Sequence, residues 1–89
     1  MHGIFKRASN LFALPPEALG EFRLELIGDG ELYLENHKGI AAYSESEVLL
    51  NCGEKLLKIS GRRLNLCAMS ESEILLRGEI SQITVSEAK

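Results

Sequence analysis

Apolar and polar residues alternate along most of this chain, beginning near residue 21. Phe22, Leu24 and Leu26 alternate with charged residues. The same alternation resumes after each of several stretches rich in turn-forming residues. A repeat of period two places one set of side chains on a single face of a β-strand. The pattern therefore predicts a series of short strands, each with one buried face.

Glycine-containing stretches mark the predicted turns: GDG at 28–30, ENHKG at 35–39, GE at 53–54 and GR at 61–62. The last two place glycine first, as a two-residue type II′ hairpin turn requires. Pairing about the GE turn sets Leu50 opposite Leu57, and pairing about the GR turn sets Leu57 opposite Leu66. Both hairpins keep the leucines on one face, so turn chemistry and alternation agree on antiparallel pairing.

The fold class that follows is all-β, an antiparallel meander of about six to eight short strands arranged as a sandwich or a small, partly open barrel. The phase of alternation changes between Ile80 and Ile83, which predicts a bulge near Ser81 and Gln82 that re-aims the last strand. The predicted inward-facing residues are Leu24, Leu26, Leu32, Leu34, Ile40, Val48, Leu50, Leu57, Ile59, Leu64, Leu66, Ile74 and Leu76.

The sequence repeats itself once, as SESEVLL at 44–50 and SESEILL at 70–76. Each SESE falls between two predicted strands, where serine side chains can hydrogen-bond their own backbone. Phosphate-binding loops need glycines before a helix, and calcium loops need a longer set of alternating carboxylates. We interpret the repeat as two equivalent solvated corners, with a weak cation or phosphorylation site as the alternative. A parallel β-solenoid is the alternative fold, since the repeat could be a rung.

The first twenty residues follow a different period. Ile4, Phe5, Leu11 and Phe12 recur at helical spacing, and the LPP sequence at 14–16 ends the predicted helix. The chain thus divides into an N-terminal helical segment, 1–20, and an all-β domain, 21–89. Because the apolar stripe is large for so short a helix, these four residues are the predicted surface for a partner protein or for homo-oligomer formation.

Composition narrows the classes of function. The formal net charge is −3 and the pI is about 5.4, which argues against nucleic-acid binding. We expect no secretory signal, because polar residues interrupt the apolar residues of 2–14, and no transmembrane segment, because no run approaches about 20 apolar residues. Cys52 and Cys67 match neither a zinc pattern nor a C-x-x-C motif, so we expect reduced, half-buried thiols and no metal or other cofactor.

No catalytic constellation is evident at motif spacing. His37 lies in the polar ENHKG stretch, and we interpret it as a turn residue. The alternative to a non-enzymatic module is a small ligand-binding or enzymatic domain, which a polar pocket around His37 and Tyr33 would favour. A peripheral membrane adaptor is a further alternative, with Lys6 and Arg7 beside the apolar N-terminal residues.

Several stretches together resemble the YabP/YqfC family of sporulation proteins from endospore-forming bacteria, and its YqfC branch in particular. The most specific is ELYLENHKGI at 31–40; LFALPPEAL at 11–19, LKISGRRLNL at 57–66 and SESEILLRGEISQITV at 70–85 are also similar. The resemblance runs over nearly the whole chain. One departure is the NCGEK stretch at 51–55, where the family pattern has one residue fewer between strands.

The resemblance implies a cytoplasmic protein of the mother cell that takes part in spore development and coat assembly. It also implies a membrane-associated YqfD-like protein as partner, through which this chain would be peripheral to a membrane. No enzymatic activity or catalytic residue is attached to the family, so the expectation is a non-enzymatic interaction module.

Overall fold

The computed structural model describes residues 20–88, and within that range the chain forms six strands and no helix. All neighbouring strands pair antiparallel, in the order β1-β2-β6-β5-β4-β3. The two end strands, β1 and β3, do not pair with each other, so the sheet stays open. The strands are β1 (Arg23–Ile27), β2 (Glu31–Glu35), β3 (Gly39–Tyr43), β4 (Glu47–Cys52), β5 (Lys55–Met69) and β6 (Glu73–Glu87).

The sheet consists of two halves that share β5 and β6, each of which is 15 residues long. In the first half-sheet, β1 and β2 extend residues 73–77 of β6. Residues 74–77 of this segment pair with residues 65–69 of β5. In the second half-sheet, β3 and β4 extend residues 55–60 of β5, which pair with residues 82–87 of β6. Both long strands therefore run through both halves.

One apolar core connects the halves. Side chains of the first half-sheet, such as Leu34, and of the second, such as Leu50, are fully buried and belong to the same cluster. A bent sheet that encloses its own core accounts for this burial. The cluster comprises Leu32, Leu34, Val48, Leu50, Cys52, Leu57, Ile59, Leu64, Ile74, Leu76 and Ile80.

Glycines allow β5 and β6 to approach each other where the sheet bends. A Cβ atom on Gly61 would overlap the backbone carbonyl of Glu79, and one on Gly78 would lie 2.7 Å from the carbonyl oxygen of Arg63. Gly78 also has a φ of 144°, a conformation that side-chain-bearing residues rarely adopt. The bend therefore depends on the absence of a side chain at these two positions.

The tips of the outer hairpins bind to the bend. The Gly61 amide donates to the Ser46 carbonyl at 3.0 Å, and the Gly78 amide donates to the Gly30 carbonyl at 3.1 Å. The β3–β4 hairpin is thereby joined to β5, and the β1–β2 hairpin is joined to β6 in the same manner. In each half, a backbone hydrogen bond thus joins the tip of the outer hairpin to a glycine at the bend.

Several predicted features are confirmed. Leu50 pairs with Leu57 about the GE turn, where Gly53 has the positive φ of 78° that a type II′ turn requires. The phase change also has the predicted cause, because Ser60 pairs with Gln82 and Gly61 with Ile80, which leaves Ser81 as a bulge. That bulge re-aims β6 without closing the sheet into a barrel.

The predicted GR hairpin is wrong. β5 continues through Gly61, so Leu57 pairs with Leu50 and Val85, whereas Leu66 pairs with Leu76. Gly61 is not at a positive φ; it is required by the close approach of β6 and not by a turn.

Two further expectations are corrected by the sheet. The antiparallel order excludes the β-solenoid alternative. Leu26 was predicted to face inward, yet its side chain is 44% exposed because β1 is an end strand whose last residues lie beyond the core. The other predicted inward residues are buried or half-buried.

We predict that Gly61→Ala lowers the free energy of unfolding by about 3 kcal/mol, because β5 and β6 must separate to accommodate the methyl group. Gly30→Ala is the matched control, since its Cβ would meet only the Gly78 carbonyl oxygen at an ordinary 3.6 Å. It should change the unfolding free energy by no more than about 1 kcal/mol. Urea denaturation measures the free energy of unfolding of both variants. Equal losses of stability would contradict the close approach of β5 and β6 at Gly61.

Candidate functional site

The residues predicted to form the partner surface, Ile4, Phe5, Leu11 and Phe12, lie outside residues 20–88. The predicted helix and the LPP break lie there too, and the predictions about them therefore stay predictions. The described residues offer other candidates: the two SESE corners, the ENHKG stretch, the cysteines, a surface concavity and the edges of the sheet.

The two SESE stretches form equivalent corners. In the first, the Ser44 hydroxyl oxygen accepts hydrogen bonds from the amides of Ser46 and Glu47, at 3.2 and 3.1 Å. In the second, the Ser70 hydroxyl oxygen accepts from the amides of Ser72 and Glu73, at 3.3 and 3.0 Å. The serine side chains are used to hold the backbone of their own turns, which confirms the interpretation as equivalent corners.

The second corner is also held from outside by the ENHKG stretch. The amides of Asn36 and His37 both donate to the Ser72 carbonyl, at 2.6 and 3.3 Å. Asn36 has a φ of 69°, the left-handed conformation that asparagine tolerates better than most residues. Its side chain donates to the Glu21 carbonyl at 2.5 Å. This stretch therefore ties the corner to the start of the sheet.

His37 is a buried part of this connection, with only 3% of its surface exposed. Its Nδ1 accepts a hydrogen bond from the Gly39 amide at 2.9 Å, which fixes the proton on the other ring nitrogen. Nε2 then donates to the Ser70 carbonyl at 3.1 Å. Both ring nitrogens are thus engaged by backbone groups, and the imidazole serves as a structural clamp between two turns.

Tyr33 points to the outer face of β2 and lies apart from this clamp. Its hydroxyl donates to Glu35 at 3.2 Å. Partial burial is the largest cause that raises the pKa of Tyr33 to about 12. Hydrogen bonding to Glu73 and the charge of Glu35 contribute less. The phenol therefore stays protonated at neutral pH and acts as a hydrogen-bond donor to the Glu35 carboxylate.

The two cysteines are free thiols in unlike surroundings. Cys52 is buried in the core, and burial raises the pKa of its thiol. Cys67 is exposed at a bulge in β5, 3.9 Å from a guanidinium nitrogen of Arg77. The expectation of two half-buried thiols is therefore wrong. Cys52 is more buried than expected, and Cys67 is more exposed.

A surface concavity of about 590 Å³ lies where the described chain begins. Neither His37 nor Tyr33 is among its described lining residues. Among residues 20–88, no group of three His, Cys, Asp or Glu side chains is placed to hold a metal ion. The described lining residues are Gly20, Glu21, Phe22, Cys52, Gly53, Glu54 and Lys55.

The bend gives the sheet four strand edges, because each half-sheet has two. Unpaired strand edges bind other chains unless charges, bulges or side chains obstruct them. On β1, Arg23 and Glu25 supply charges. On β3, the ladder shifts between Ile40 and Ala42, which leaves Ala41 as a bulge. Both end strands thus carry features that hinder pairing.

The third edge, residues 65–69 of β5, is obstructed by Tyr43. The tyrosine hydroxyl donates to the Leu64 carbonyl at 3.3 Å and accepts from the Leu66 amide at 3.2 Å. It therefore occupies backbone groups that another strand would use. Cys67 adds a bulge to the same edge, because it has no partner on β6.

The fourth edge, residues 82–87 of β6, has no bulge in its ladder with β5; it is called the β6 edge. These residues pair with β5 in unbroken register, and within residues 20–88 no strand pairs with their other side. Val85 is 52% exposed. Glu87 carries the only charge and is bound to Lys55 at 2.7 Å. The β6 edge is the candidate interaction surface of the described chain.

Comparison with known proteins identifies the family of this chain. Residues 19–89 match the YabP family. The chain is also 33% identical over 76 residues to the uncharacterized protein YqfC of Bacillus subtilis (strain 168), covering 84% of this chain and 82% of YqfC. The chain belongs to the YabP family, as the sequence motifs predicted. Within residues 20–88, no helix long and apolar enough to span a membrane occurs.

Sequence reasoning missed both the clamp and the β6 edge. His37 was interpreted as a turn residue from its polar neighbours, and no local signal shows that Ser70 lies against it. The β6 edge did have a signal, since residues 80–86 are free of charge and include Ile83, Thr84 and Val85, which are β-branched.

We predict that His37→Ala lowers the free energy of unfolding by about 3 kcal/mol, because the Ser70 carbonyl and the Gly39 amide both lose a buried partner. Lys38→Ala alters the exposed neighbour and should change stability by less than about 0.5 kcal/mol. Chemical denaturation of both variants provides the comparison. A His37→Ala protein as stable as Lys38→Ala would show that the clamp contributes nothing.

Proposed function

We propose that this chain is a non-enzymatic sporulation protein of the mother cell, a small β module that takes part in spore development and coat assembly by binding other proteins. Its place of action is the cytoplasm, next to a membrane-associated YqfD-like partner. The observation that carries the proposal is membership of the YabP family over residues 19–89. The 33% identity to YqfC places the chain near that relative within the family.

The hydrogen bonding of the described domain and its open strand edge support an interaction role. The side chains most often suited to chemistry are used within the fold: His37 clamps two turns, and Ser44 and Ser70 hold their own corners. Within residues 20–88, no strand pairs with the outward side of the β6 edge. Strand edges of this kind bind protein segments by adding a strand to the sheet.

The partner is proposed to bind through the N-terminal segment. A stripe of Ile4, Phe5, Leu11 and Phe12 would supply an apolar surface for another protein, as amphipathic helices do when they bind in grooves. Lys6 and Arg7 lie beside this stripe in the sequence. Two basic residues add little attraction to anionic lipid, so we propose a protein partner and not direct lipid binding.

We predict that the double variant Phe5→Ser, Phe12→Ser abolishes co-purification of the YqfD-like protein with the tagged full chain from sporulating cells. The purified full-length variant should melt nearly as before, because the described core cluster consists of residues of the sheet. Quantitative mass spectrometry of the purified complex and thermal denaturation provide the two readouts.

The control is Lys6→Ser, Asn10→Ser, which changes two polar residues of the same segment and should retain the partner. A phenylalanine variant that keeps the partner but unfolds at a much lower temperature would contradict the proposed role. That result would assign the N-terminal residues to the stability of the domain.

A further inference from the structure

We propose that two copies of this chain pair along their β6 edges, antiparallel and about a two-fold axis at Thr84. The second half-sheet of one copy would then continue into that of the other. This inference concerns self-association and does not depend on the role in sporulation.

The direction of the backbone groups along the β6 edge is the first argument. In an antiparallel ladder, successive residues direct their amide and carbonyl groups to opposite sides. The Ala88 amide donates to the Glu54 carbonyl, so residues 82, 84 and 86 face β5. The groups of Ile83, Val85 and Glu87 consequently face away from the sheet.

The backbone groups of the β6 edge are complementary to those of a second copy of the same edge. With Thr84 on the axis, Ile83 lies opposite Val85 of the partner subunit, and both direct their backbone groups toward the interface. Such pairs exchange two hydrogen bonds. A shift of register by one residue would place outward-facing groups opposite inward-facing ones and lose these bonds. The backbone therefore restricts the set of registers.

Side chains favour the register centred on Thr84. It sets Ile83 against a valine and threonine against threonine, both favourable cross-strand pairs. The exposed side chain of Val85 gains apolar neighbours. A register centred on Val85 would instead place the charged Glu87 opposite Ile83. No charge lies between residues 80 and 86, so no like charges meet near the axis.

The occupant favoured by these observations is a second copy of the chain. The β1 edge is a poor choice for the same pairing, because self-pairing about its centre would oppose two Glu25 carboxylates. Strand-edge contacts of this length bury less area than the roughly 1,200–2,000 Å² of stable interfaces. A concentration-dependent equilibrium between monomer and dimer is therefore expected.

Cysteine cross-linking tests the register. Thr84→Cys is introduced into full-length protein that also carries Cys67→Ser, which removes the exposed thiol. Non-hydrogen-bonded pairs have Cα atoms about 4.5 Å apart, a separation compatible with a disulfide bond. Mild oxidation should convert most of this protein into a covalent dimer on non-reducing electrophoresis.

Gln82→Cys in the same background is the matched control. It lies on the same face, but the register places it opposite Ser86 of the partner subunit, so it should stay largely monomeric. Equal cross-linking of the two variants, or none of Thr84→Cys, would overturn the proposal.

Charge complementation provides a second test that needs no oxidation. Thr84→Lys and Thr84→Glu each set like charges on the axis and should shift the sedimentation-detected equilibrium toward monomer, whereas their mixture should recover dimer. The same charges at Asn51, exposed on β4 between two paired strands, should leave the equilibrium unchanged. A wild-type chain that remains monomeric at millimolar concentration would refute the pairing.

Discussion

The close crossing of β5 and β6 at Gly61 and Gly78 is the contact on which the rest of the structure depends. Because neither position carries a side chain, the two long strands can bend together and pass through both half-sheets. The outer hairpins then attach to the bend through their tips. A single core forms between the halves, which gives a small chain the burial that a flat sheet of the same length would lack.

This arrangement also creates the problem of four strand edges. The chain obstructs three of them by different means: charges on β1, a bulge on β3 and the hydroxyl of Tyr43 on β5. The β6 edge remains regular and nearly free of charge. Among residues 20–88 of this YabP-family protein, this difference makes the β6 edge the candidate surface for the proposed pairing.

Much of the fold could be predicted because its causes are local. Alternation identified the buried faces, the glycine of the GE turn set one hairpin, and the phase change near Ser81 located a bulge. The GR stretch failed because Gly61 has the same local signal as Gly53, a glycine before a charged residue. Only the approach of β6, which is distant in sequence, distinguishes a glycine in a turn from one at a crossing.

The candidate site was harder to predict than the fold, for a related physical reason. Burial of His37 depends on a corner that lies 33 residues further along the chain. The openness of the β6 edge likewise depends on where β2 stops pairing. The surface predicted from helical spacing, at Ile4, Phe5, Leu11 and Phe12, rests on local pattern alone and remains a prediction.

Amide hydrogen exchange, resolved by residue and followed as protein concentration rises, tests the account of the edges most directly. Gln82 and Thr84 face β5 and should be protected at every concentration. Ile83 and Val85 face outward, so their amides should exchange rapidly in dilute protein and slowly once copies pair. Protection of Ile83 and Val85 in dilute protein, or rapid exchange at every concentration, would contradict an open edge that binds a second copy.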